Sequence, residues 1–119
     1  MKILIIEDNP TNMKLVSLLV EKAGYSILKA NEAETGIAMA RKEHPDLILM
    51  DIQLPGMDGL TATSILKGDV ATRDIPVIAL TAFAMDGDRE KMLDGGCDGY
   101  VTKPIHREQL IAEMKRCLE

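Results

Sequence analysis

Three stretches of the chain, residues 3–6 (ILII), 47–50 (LILM) and 77–80 (VIAL), are unbroken apolar runs of strand length. A strand that is apolar on both faces is buried on both. These runs therefore predict the middle of a sheet with helices above and below it. Around them the chain alternates regularly. Strand-like segments at 2–8 (KILIIED), 25–30 (YSILKA), 46–51 (DLILMD), 75–82 (IPVIALTA) and 99–103 (GYVTK) are separated by helical stretches, and a last helix closes the chain. The pattern is (βα)5, an α/β protein with a doubly wound parallel sheet, three layers deep.

The helices carry their own signals. Asn9 can cap a first helix with Pro10 at its first position, and Gly24 stops it. Leu15, Val16, Leu19, Val20 and Ala23 are expected to form its core face, with Leu18 off that stripe. The last helix, from about Arg107, is expected to pack through Leu110, Ile111, Met114 and Leu118. Gly87 inside the fourth helix and Gly95–Gly96 after it predict a weakly held element there.

Length and composition narrow the function. At 119 residues the chain predicts one domain, 1–119, with a single real core. A net charge of −5 argues against a nucleic-acid surface, which needs a basic stripe. No apolar run approaches the roughly 20 residues of a membrane span, and no export signal opens the chain. Cys97 and Cys117 form no CxxC pair and read as reduced thiols of a cytoplasmic protein. His44 and His106, at helix edges, read as solvated side chains, and the eight methionines read as core filler.

The strand ends carry the chemistry. In open parallel sheets, ligands bind outside the carboxyl ends of the strands, where the winding reverses. Strand one ends in Glu7 and Asp8, strand three in Asp51, strand four in Thr81, and strand five in Lys103 before Pro104. Three carboxylates brought together cannot all stay ionised unaided: either a pKa rises or a divalent cation binds. With no histidine or cysteine beside them, the oxygen set suits Mg²⁺ (or Mn²⁺) rather than zinc. Lys103, a cation, suits the oxygens of an incoming phosphoryl group, and Thr81 can donate a hydrogen bond to them. Asp51, alone on the central strand, is the natural nucleophile.

These residues resemble the receiver domains of two-component response regulators over essentially the whole chain. "IIEDN" is similar to the family's acidic pair, "ILMDIQLPGMDG" to its phosphoacceptor segment, "ALTA" to its switch hydroxyl and "YVTKP" to its closing aromatic and lysine-proline. The spacing, 43 residues from Asp8 to Asp51, 30 on to Thr81 and 22 on to Lys103, is ordinary for the family. The resemblance implies a flavodoxin-like sheet in strand order 2-1-3-4-5. It implies that Asp51 accepts phosphate from a phosphohistidine of a histidine kinase or histidine phosphotransfer protein. Asp8 and Asp51 would ligate Mg²⁺ directly, Glu7 through water, and Gln53 through its backbone carbonyl. Thr81 and Tyr100 would switch together, Lys103–Pro104 would be cis, and Gln53 and Phe83 would tune the phosphoryl lifetime. The texture is most similar to single-domain regulators that relay cell-cycle and polarity signals between kinases; receivers of hybrid kinases share much of it. With nothing after the last helix, the chain is expected to act through a downstream protein target, with no nucleic acid and no membrane. The docking rim is expected at Thr11, Asn12, Leu15, Pro104 and Ile105, which flank the acidic mouth.

Other readings fit less well. A haloacid-dehalogenase-type phosphatase needs a second acid two residues after its nucleophile, where this chain has Gln53. A flavodoxin-like electron carrier lacks its phosphate cradle here. A phosphorylation-independent scaffold would usually have lost one of the five site residues. The DGD at 86–88 lacks the remaining ligands of a calcium loop and reads as an early-helix turn.

Overall fold

The computed structural model describes residues 1–82 and 86–119, and of residues 86–89 the backbone alone. The elements alternate as the pattern predicts: β1 (Lys2–Ile6), α1 (Pro10–Lys22), β2 (Ser26–Ala30), α2 (Ala33–Glu43), β3 (Leu47–Asp51), α3 (Gly59–Gly68), β4 (Val77–Thr81), α4 (Asp86–Asp94), β5 (Gly99–Thr102) and α5 (Arg107–Leu118). The five strands are all parallel and lie in the order β2-β1-β3-β4-β5. This is the doubly wound, flavodoxin-like arrangement.

The apolar runs of β1, β3 and β4 are fully buried because both faces are covered. Side chains alternate across the sheet, so each run divides between two cores. Leu4, Ile6, Ile48, Met50, Val77 and Ala79 pack with α2 and α3, while Ile3, Ile5, Leu47, Leu49, Ile78 and Leu80 pack with α1 and α5. Edge strand β2 is only partly covered, which explains its mixed sequence.

Asn9 caps α1 as expected, its side chain accepting from the Thr11 and Asn12 N–H groups at 2.9 and 3.1 Å. Gly24 takes the positive φ of +97° that ends the helix turn. One expectation is corrected. Leu15 is not on the core face but 42% exposed, and Leu18 beside it is 49% exposed. The buried stripe is Val16, Ser17 and Val20, with Met13, Leu19 and Ala23 partly covered. The buried face is a fraction of a turn from the expected stripe and includes Ser17, a polar residue that apolar periodicity does not count. In α5, Leu110 and Met114 are buried, and Ile111 and Leu118 pack at the margin of the same core. The DGD segment does open α4, and Met92 is that helix's buried side chain among those described. His44 is exposed as expected, although its Nε2 stands 3.2 Å from Asp74 Oδ1.

Candidate functional site

Strand register brings the acids together. Ile6 pairs with Met50 across the parallel β1–β3 ladder, so the next residues, Glu7 and Asp51, leave the sheet side by side. They share the side-chain parity of Ile3, Ile5, Leu47 and Leu49, the face beneath α1 and α5. Lys103 has the parity of Val101 on that same face, and its N–H donates to the Thr81 carbonyl at 2.7 Å. Two-residue alternation alone thus sends two carboxylates and an ammonium to one spot.

Glu7 and Asp51 are 1% and 2% exposed, whereas Asp8 lies at the surface. Oxygens of Glu7, Asp8 and Asp51 all lie within 4.8 Å of one another. Lys103 Nζ stands 3.2 Å from Glu7 Oε1 and 3.3 Å from Asp51 Oδ1. Asp51 Oδ1 also accepts the Gln53 N–H at 3.1 Å. Glu7 Oε2 accepts the Asn9 N–H at 3.5 Å.

This site is short of positive charge. Burial, then a hydrogen bond and repulsion from Asp51, push the Glu7 pKa from 4.5 up to about 7, and Lys103 only partly opposes them. A second cation would satisfy the surplus. Among the described residues no histidine or cysteine joins the cluster, so the donor set is all oxygen and fits a hard divalent ion such as Mg²⁺.

The loop after Asp51 is built to hold it still. Leu54 is buried, and Gly56 turns the chain with φ +75°. Asp58 caps α3 by accepting the Thr61 N–H at 2.8 Å. Gly59 then donates to the Ile52 carbonyl at 3.0 Å and lies against the backbone of Asp51 and Ile52 so closely that any side chain would collide with them. Its contact with the Asp51 backbone is invisible in the sequence, since only the packing of α3 on β3 creates it.

Thr81 is buried at the end of β4. Tyr100 pairs with Ala79 and packs, half-buried, on the α2–α3 side of the sheet, the face Thr81 shares by parity. Gln53 donates its N–H to Asp51 Oδ1, which fixes it beside the acid cluster. The Lys103–Pro104 bond is cis. Phe83 lies outside the described residues. Of the expected docking rim, Asn12, Leu15, Pro104 and Ile105 surround one small hollow of about 90 Å³, with Glu7, Val16 and Lys103 also lining it. Thr11 stands exposed at the start of α1, outside that lining.

A doubly wound parallel sheet with two buried acids and a lysine at its carboxyl edge puts this chain in the flavodoxin-like fold class. The chain belongs to the response regulator receiver domain family, whose model matches residues 3–115. It is 48% identical over 116 residues to the polar-differentiation response regulator DivK of Brucella ovis, covering 98% of this chain and 94% of that protein. Among solved structures it is similar to the receiver domain of the sensor histidine kinase PA1611 from Pseudomonas aeruginosa, which holds a magnesium ion in its active-site cleft. The TM-score is 0.91 at 35% identity, over 98% of this chain and 96% of that one. The chemotaxis protein CheY4 of Vibrio cholerae matches with a TM-score of 0.92 at 25% identity, over 98% of each chain. Receiver domains of two-component systems bind Mg²⁺ at an acidic site and work with histidine kinases or phosphotransfer proteins and with downstream targets. Among the described residues, no helix is long and apolar enough to cross a membrane.

Proposed function

We propose that the chain, as a single receiver domain over 1–119, takes a phosphoryl group onto Asp51 from a phosphohistidine of a histidine kinase or phosphotransfer protein. The observation that carries this reading is the Lys103 ammonium, 3.3 Å from Asp51 Oδ1 within the three-acid cluster. An ionised Asp51 oxygen attacks phosphorus. The new O–P bond forms as the N–P bond of the donor breaks, and its electron pair returns to the donor's imidazole. Lys103 offsets charge on the phosphoryl oxygens, Thr81 donates a hydrogen bond to them, and the loop anchored at Gly59 keeps Asp51 from moving during attack. Mg²⁺, which Mn²⁺ can replace, would be held by Asp8 and Asp51 directly, by Glu7 through water and by the Gln53 carbonyl. It supplies a hard positive charge that neutralises carboxylate and phosphoryl oxygens alike. Water later hydrolyses the acyl phosphate, so the activity is self-catalysed and the domain is a signalling module.

The partner docks on Thr11, Asn12, Leu15, Pro104 and Ile105, beside the mouth of the site. Thr81 and Tyr100 then change the face formed by α4, β5 and α5, and a downstream protein reads that face in the cytoplasm. Likeness to DivK over nearly the full chain supports a role in cell-cycle and polarity control.

Incubation with acetyl phosphate and MgCl₂ is expected to add one phosphoryl group by intact mass, and Asp51→Asn is expected to abolish it. No addition, or equal addition to Asp51→Asn, would leave a receiver-like scaffold as the better reading.

A further inference from the structure

β5 is an edge strand, and α5 packs against it. Lys103 N–H turns inward to the Thr81 carbonyl of β4, and Asp98 N–H turns inward to the Val77 carbonyl at 2.8 Å, so by the two-residue alternation it is the Asp98 carbonyl and the backbone groups of Tyr100 and Thr102 that are directed outward. Such a row of unpaired donors and acceptors is a template for strand addition. Two of these groups are already occupied. Arg116 Nη2 donates to the Asp98 carbonyl at 2.8 Å. The Tyr100 N–H lies near enough to the Glu113 carboxylate to help Arg116 hold it below the usual carboxylate range. Glu113 and Arg116 are themselves joined twice, Nε to Oε1 at 2.8 Å and Nη2 to Oε2 at 3.2 Å.

A neighbouring parallel strand would engage these same two groups with one residue, donating its N–H to the Asp98 carbonyl and accepting from the Tyr100 N–H with its own carbonyl. Arg116 supplies the donor and Glu113 the acceptor. Gly99 makes this possible: a Cβ there would collide with Glu113 Oε2 and Arg116 Nη2, so the absent side chain lets the pair lie flat on the strand. Outside the pair, a cleft of about 500 Å³ borders β5, with Leu93 and Gln109 among its walls. We propose that the Glu113–Arg116 pair is a side-chain surrogate for one residue of a sixth strand, capping the β5 edge and closing it to pairing with the β5 edge of a second copy. Neither group takes part in the phosphoryl chemistry.

The test is Glu113→Ala with Arg116→Met, together and singly. Arg116 is 57% exposed at its side chain and Glu113 24%, so the core is untouched. Tyr100 amide exchange at dilution and weight-average mass by sedimentation, over a wide concentration range, are compared with the unaltered chain. The expected result is Tyr100 exchange about tenfold faster at dilution, and a steeper rise of mass with concentration in the double variant. Gly99→Ala, which keeps both partners but lifts them off the strand, is expected to move both readouts in the same direction. Unchanged Tyr100 exchange overturns the proposal, and so does faster exchange without added association.

Discussion

Glu7 and Asp51 face each other as two buried carboxyl groups joined by a hydrogen bond, with the Lys103 ammonium against both. The arrangement ties stability to pH. Glu7 has its folded pKa raised from 4.5 to about 7, so the folded state keeps a proton that the unfolded chain releases. Stability is therefore expected to fall as pH rises from about 4.5 to about 7, and to level off above that. Thermal melts in chelator across this range measure the slope. MgCl₂ should raise the melting temperature most at the upper end, where both carboxylates are ionised. Asp51→Asn removes the charge that opposes Glu7, and is expected to flatten the slope and stabilise the metal-free protein by about 1–2 kcal/mol. A pH-independent melt would contradict this account.

Gly59 supports the same aspartate from behind. A Cβ at this position would meet the Asp51 carbonyl and the Ile52 backbone, neither of which can yield as a flexible side chain would. Gly59→Ala should therefore destabilise the fold by about 2–4 kcal/mol in urea titration, despite the helix propensity that alanine adds to α3. Gly68→Ala, at the other end of α3 with open space around it, is the control and should change stability by less than about 1 kcal/mol.

Leu15 and the Pro104–Ile105 turn meet across the small hollow beside Lys103, and the leucine is exposed where periodicity alone put it in the core. Leu15→Asp is expected to slow phosphotransfer from a cognate phosphohistidine protein about tenfold or more, as losing a central apolar contact would. Labelling by acetyl phosphate, which needs no docking, should continue at the original rate. Equal rates from the protein donor would show that this rim is not the docking surface.

The residues themselves determined a great deal. Unbroken apolar runs at 3–6, 47–50 and 77–80, short and alternating with helical stretches, pointed to strands covered on both faces and so to a parallel, doubly wound sheet. Because ligand sites in such sheets lie at the carboxyl ends of the strands, Glu7, Asp8, Asp51, Thr81 and Lys103 fall into one group on the sequence alone. Local signals such as the Asn9 cap were equally readable, since they depend on neighbours in the chain. What only the tertiary structure decided is contact between distant segments. The Ile6–Met50 register brought Glu7 to Asp51 and left Asp8 at the surface, and so made Glu7 the strained acid. The packing of α1 on the sheet buried Ser17 and exposed Leu15. The approach of α3 to β3 made Gly59 indispensable, and the fall of α5 across β5 laid Glu113 and Arg116 over Gly99. A one-dimensional pattern records which face a side chain takes. How closely two faces approach is settled only when the layers pack.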